Sequence, residues 1–105
     1  MKLITKEFVE QMKAHPLYSQ ENEKDPMVVA KFFNPCGSGT WLVTEYDPSD
    51  KLAFGYVMGL GEDELGYISL EEMESVKLPF GMTIERDLYF KSKRLSECST
   101  FKPRS

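Results

Sequence analysis

Apolar residues recur at Ile4, Phe8, Val9 and Met12, a spacing that lays one stripe along a short helix. Thr5 is placed to cap that helix and Glu7 to meet its positive end. Ile4 and Val9 occupy the two positions of a hydrophobic staple, and Pro16 stops the helix near His15. Residues 17–26 are polar and predict a loop. From Met27 the period changes. Met27 to Phe33 is rich in β-branched and aromatic residues and reads as a strand. Asn34 to Gly39 supplies turn chemistry before a second strand, Thr40 to Tyr46. Strict alternation would put Trp41, Val43 and Glu45 on one face of it, and Leu42, Thr44 and Tyr46 on the other.

The turn Asp47-Pro48-Ser49-Asp50 leads to a third strand, Lys51 to Leu60, whose faces separate by size. Leu52, Phe54, Tyr56 and Met58 point one way. Ala53, Gly55, Val57 and Gly59 point the other, a small face that invites close approach by a helix or another backbone. Leu65 to Ile68 predicts a short fourth strand. Ser69-Leu70-Glu71-Glu72 is a capping box, with Ile68 and Met73 placed for a second staple, and Leu78-Pro79 and Gly81 end that helix near Val76. Thr83 to Phe90 returns as a last strand. The order gives an α+β fold: a small antiparallel sheet of four to five strands with an N-terminal helix and a short second helix packed on one face. One domain spans 1–105, with residues 1–16 as the N-terminal helix and 91–105 as a basic, partly flexible tail.

Composition agrees with a folded chain. Thirteen aromatics among 105 residues suffice for a core without a metal or disulfide staple. Cys36 and Cys98 stand far apart with no second ligand at metal spacing and read as idle thiols in a reducing compartment. No apolar run approaches the roughly 20 residues of a membrane span. The N-terminus meets acids too early for a signal peptide, so a cytoplasmic protein is expected. A pI near 5.0 argues against general or sequence-specific DNA binding, which needs a basic surface.

Charge changes the picture. Residues 1–44 are neutral, 45–74 carry net −8, and 75–105 carry net +4. A solvated face is the ordinary reading of such acids. The turns, however, bring Glu62, Asp63 and Glu64 together with Glu71, Glu72 and Glu74, which follow a four-residue strand, into one exposed edge spaced like a short run of phosphates. An edge of this kind would compete for a cationic, nucleic-acid-binding groove. These six carboxylates are the expected partner-binding residues.

Other candidates are weaker. His15 has no partner of catalytic type in sequence, and Asn34 to Thr40 lacks the lysine and the following helix of a phosphate loop. Glu62-Asp63-Glu64 lacks the alternating acids and glycine of a calcium loop. Glu85-Arg86-Asp87 reads as a structural ion-pair group; with Glu45 and Asp47 it could also assemble a hydrolytic site. No catalytic residue, metal or cofactor is expected.

Several segments resemble a domain-of-unknown-function family of small proteins from plasmids, integrative conjugative elements and phages. They are Ala30-Lys31-Phe32-Phe33, Trp41, Thr44-Glu45-Tyr46-Asp47-Pro48, Phe54-Gly55, Glu64-Leu65-Gly66-Tyr67 and Glu85-Arg86-Asp87-Leu88-Tyr89-Phe90, the last following a Leu-Pro-Phe-Gly turn. The resemblance brings no catalytic residues. It implies a mobile element in a bacterial cell, and small acidic proteins of such elements are similar to anti-CRISPR inhibitors of type II, Cas9-type nucleases. The expected function is therefore an anti-CRISPR inhibitor, a monomer or weak dimer, whose partner is the host's RNA-guided nuclease effector. The alternative is a non-enzymatic accessory protein of a conjugative element or plasmid, docking through exposed aromatics or through Lys91, Lys93, Arg94, Lys102 and Arg104.

Overall fold

Hydroxyl caps fix both helix starts. In the computed structural model, which describes residues 2–98, Thr5 Oγ1 accepts the Phe8 N–H at 3.1 Å and opens α1, Lys6–Met12. Ser69 Oγ accepts the Glu72 N–H at 3.3 Å and opens α2, Leu70–Ser75. The first helix ends three residues before the predicted His15. The residue before a proline is pushed out of the helical region. Here the chain turns, with His15 N–H donating to Met12 O at 2.9 Å, and the His15 carbonyl is taken by Tyr46 N–H at 3.0 Å.

Seven strands follow in chain order: β1 Met27–Val28, β2 Ala30–Phe33, β3 Thr40–Asp47, β4 Leu52–Met58, β5 Glu64–Ser69, β6 Glu85–Arg86 and β7 Lys93–Arg94. Five form an antiparallel sheet in the order β5-β4-β3-β2-β6, and β1 pairs with β7 in a separate two-stranded ribbon. The fold is thus α+β, with β5 and β6 at the sheet edges.

Three expectations are corrected. Met27 to Phe33 is two strands, because the pairing partner changes from β7 to β3 at Val29, whose N–H donates to Val43 O at 2.8 Å. Val28 enters a second core with Leu42, Met58, Leu95 and Cys98, while Val29 and Ala30 stay in the main one. The last strand shrinks from Thr83–Phe90 to Glu85–Arg86, because Asp87 Oδ1 accepts the Tyr89 N–H at 3.0 Å and folds the chain into a turn. The third concerns β3. Its register against β4 slips between Val43 and Glu45, leaving Thr44 as the extra residue of a β-bulge. Glu45, paired with Phe54, then shares a face with Leu42, and Tyr46, paired with Ala53, joins Val43. Residues 42–46 are consequently buried without a break.

Both helices cover one face of the sheet, as expected. Phe8 and Met12 of α1 and Leu70 and Met73 of α2 are buried there with Phe32, Val43, Tyr46, Ala53 and Ile68. The Phe8 ring sits 5.0 Å from Tyr46, edge to face, and 5.8 Å from Phe32. Such pairs contribute about 0.5–1.5 kcal/mol each beyond the area they bury. On the other face β7 and the 3-10 turn Leu95–Glu97 bring Leu95 and Cys98 over the Leu42 end of the sheet. The described part of the basic segment is therefore packed structure. Lys102 and Arg104 lie outside the described residues. Cys36 is exposed and Cys98 buried, and both are free thiols.

Candidate functional site

The second face of the sheet is covered only in part, and the uncovered part is a cleft. The large side chains of β4 alternate onto this face, and antiparallel pairing sets Phe54 opposite Tyr67 and Tyr56 opposite Leu65. Phe54 and Tyr67 meet edge to face with centroids 5.1 Å apart. The bulge delivers Glu45 to the same face. The loop 17–26 closes the side of the cleft with Tyr18, Glu21 and Lys24, leaving a volume of about 330 Å3. That lies at the small end of the range typical of ligand sites, about 300–1,000 Å3.

The loop is held by two polar side chains. Glu45 is 4% exposed, and its two oxygens accept the backbone N–H groups of Tyr18 at 2.8 Å and Gln20 at 2.9 Å. The Gln20 amide donates to the carbonyls of Met27 and Thr44 and accepts the Met27 N–H at 2.6 Å. Buried acceptors and donors are thereby matched, which is what a polar group needs in a partly dry setting. Tyr18 adopts φ +71, the left-handed region that a bulky residue rarely occupies. Its side chain stands 62% exposed over the cleft. The Tyr67 phenol is held above its ordinary range first by its hydrogen bond with the Tyr18 side chain, and further by the Glu45 and Glu21 carboxylates. Two phenols and two carboxylates thus converge at one end of the cleft. Glu23, which also lines it, is spent on Arg94 at 3.2 Å.

The six acids expected to bind a partner fall at two ends of β5. Glu62 and Asp63 lie in the β4–β5 turn, and Glu64 begins the strand; all three are exposed. Glu71 and Glu72 are exposed on the first turn of α2, beyond Ser69. Five residue steps at roughly 3.3 Å separate Glu64 from Ser69 by about 17 Å. The exposed Leu65 and Tyr67 occupy the interval. The acids flank an apolar edge and do not form one unbroken row. Two of them also have internal work. Glu74 Oε2 accepts the N–H groups of Leu3 at 2.7 Å and Ile4 at 3.1 Å, and Asp63 Oδ1 accepts that of Gly59 at 3.0 Å.

The constellation of Glu45, Asp47, Glu85, Arg86 and Asp87 is not assembled. Arg86, paired with Phe32, faces α1, where it meets Thr5 Oγ1 at 3.3 Å and Glu7 at 3.8 Å. Glu45 is on the opposite face. Asp87 pairs with Lys31 at 3.9 Å, and Asp47 binds the N–H and hydroxyl of Ser49, which lower its carboxyl below the usual range. Among the described residues no three His, Cys, Asp or Glu side chains are grouped to hold a metal ion, and no helix is long and apolar enough to cross a membrane.

Sequence reasoning passed over Tyr18, Phe54, Tyr56 and Tyr67 as a group. The signal was present in the size difference between the two faces of β4. With the helices taking the small face, the large aromatic face had to look outward unless something else covered it.

A family model described as "Protein of unknown function (DUF2958)" matches residues 3–101. No curated protein and no solved structure gives a significant match.

Proposed function

This chain belongs to the DUF2958 family, and from that premise and the geometry above we propose that it is a non-enzymatic binding protein. It inhibits an RNA-guided nuclease of the type II, Cas9-like class by docking on the effector's cationic nucleic-acid channel. The observation that carries this reading is the uncovered β5 side of the sheet. Leu65 and Tyr67 are 52% and 56% exposed there, with Glu62, Asp63 and Glu64 at one end and Glu71 and Glu72 at the other. An aromatic centre with a charged rim is the anatomy of a protein-docking surface. The exposed carboxylates Glu62, Glu64, Glu71 and Glu72 suit a partner whose channel is lined by arginine and lysine to hold a guide–target duplex. The choice of nuclease comes from the resemblance to mobile-element proteins described above.

The test is target cleavage by a guide-loaded type II nuclease with and without this protein. Inhibition by the wild type, lost on reversing Glu62, Glu64, Glu71 and Glu72 to lysine in a variant with unchanged circular dichroism, supports the reading. Full cleavage at saturating wild-type protein overturns it.

A second reading, an accessory protein of a conjugative element, draws on a different surface. Phe80 and Tyr89 are 99% and 95% exposed on the segments flanking β6, with Lys91 close by in sequence. A partner docked there would leave the β5 side free.

A further inference from the structure

We propose that the cleft between the 17–26 loop and the β4–β5 face is a recognition site for one arginine side chain of a protein partner, the guanidinium lying between the aromatic rings and pairing with Glu45. The source of that arginine rests on the reading given under Proposed function; the chemistry of the site does not.

Three features of the cleft select the ligand. Its walls carry four flat rings, Phe54, Tyr56 and Tyr67 on the sheet and Tyr18 on the loop, beside the aliphatic Pro26, Leu65 and Leu95. A planar, weakly hydrated guanidinium stacks on such faces, whereas a compact ammonium gives up more hydration to enter. Its charge is negative. Glu45 and Glu21 line it against the single cation Lys24, and Glu23, the third acid, is paired with Arg94. The cleft also retains hydrogen-bond capacity. An ionised carboxylate offers about four acceptor positions, and the N–H groups of Tyr18 and Gln20 use two of those on Glu45. The remaining positions suit a donor that arrives with several N–H groups in a plane.

The site is also held ready. Glu45 is fixed by the sheet on one side and by two backbone donors on the other, and those donors hold Tyr18 in its left-handed conformation. Strain of this kind persists where surrounding structure over-determines it, as in ligand clamps. A guanidinium would meet rings and acceptors already in place, which reduces the ordering cost of binding.

The experiment is a titration of the isolated protein with N-acetyl-arginine amide, followed through the amide resonances of Tyr18, Gln20 and Tyr67. The neutral isostere N-acetyl-citrulline amide serves as the control. The arginine compound is expected to give saturable shifts at these amides and to bind about tenfold more tightly than the citrulline compound, the ratio that about 1.4 kcal/mol of charge and cation–π interaction sets. Tyr67→Leu, at an exposed edge position, should weaken arginine binding several-fold while leaving the thermal melt unchanged, and Tyr67→Phe should retain binding; a purely structural role would lower the melt of the Leu variant. Equal binding of both compounds, or no saturable shift with arginine, overturns the inference. Arginine binding without nuclease inhibition leaves the inference standing and removes the inhibitor reading; inhibition without arginine binding does the reverse.

Discussion

The Glu45 carboxylate sits beneath the backbone of Tyr18, accepting its N–H at 2.8 Å across 27 residues of sequence. With the bonds of Gln20, this contact ties the irregular 17–26 loop to the centre of the sheet and gives the cleft its second wall. A carboxylate that is 4% exposed is tolerable because donors surround it. The same carboxylate also faces the aromatic rings. Structural and recognition roles therefore meet in a single side chain.

Removing that carboxylate should be costly. Glu45→Ala leaves the N–H groups of Tyr18 and Gln20 without their acceptor and Tyr18 without the bond that holds its left-handed backbone. Buried donors left unpaired cost about 1–3 kcal/mol. Urea unfolding should show a loss of that size for Glu45→Ala and a smaller one for Glu45→Gln, whose amide oxygen keeps one acceptor. Equal midpoints for all three proteins would show that the loop is held by other contacts.

Two glycines paired across β4 and β5 separate close approach from open space. A Cβ on Gly55 would stand 2.0 Å from the Leu42 carbonyl oxygen, where β3 and β4 press together beside the bulge. Gly66, paired with Gly55 across β4 and β5, has nothing within 4 Å of its Cβ position. Gly55→Ala forces backbone to move and should destabilise by at least about 1–3 kcal/mol, the usual cost of overpacking. Gly66→Ala should stay within about 0.5 kcal/mol of wild type. Thermal melts of the two variants measure the difference directly.

The sequence carried the elements better than their faces. Both helix caps were legible, because a hydroxyl followed three residues later by a backbone donor is a local arrangement that needs no tertiary information; Thr5 and Ser69 cap where expected. The size alternation of β4 was equally legible. The bulge at Thr44 was not. A run of Leu42 to Tyr46 reads as ordinary alternation, and only the pairing with β4 reveals the extra residue. That single slip moved Glu45 from the helix face to the cleft, so the residue at the heart of the site was assigned to the wrong side. The ribbon of β1 and β7 was hidden for a similar reason. Two-residue strands carry too little periodicity to register, and Lys93–Arg94 owes its place to Leu95 and Cys98 packing beneath Val28. The acidic residues were easy to count and hard to place, since charge along a chain says nothing of the length of the strand between two turns.

Acid should loosen the contact between Asp25 and the C-terminal segment. Asp25 accepts the Ser96 N–H at 2.8 Å and the Ser96 hydroxyl at 2.6 Å, and these bonds, aided by Arg94, hold its carboxyl below the ordinary value. A carboxyl depressed in the folded state contributes stability that is present above its unfolded pKa of 3.8 and lost as pH falls through the folded value. Asp25→Asn should therefore be less stable than wild type at neutral pH, with the gap closing below the carboxylate range. A gap that persists unchanged in acid would assign the effect to shape and not to charge.

The two docking surfaces can be told apart by substitution and by salt. Phe80 and Tyr89 contribute nothing to the core, and Phe80 sits at φ +62, where asparagine is better tolerated than a bulky ring. Phe80→Asn with Tyr89→Ser should thus fold with stability within about 0.5 kcal/mol of wild type. If the β5 side engages a cationic channel, this double variant inhibits the nuclease as the wild type does, and Tyr67→Leu weakens inhibition. The affinity of the wild type should also fall steadily with added salt, because flanking carboxylates at an exposed rim act through a field screened over about 10 Å at 0.1 M. Surface plasmon resonance across a salt series, run on the wild type and both variants, reads these effects together. Loss of binding in the Phe80 and Tyr89 variant, with no dependence on salt, would move the interface to the β6 end of the sheet.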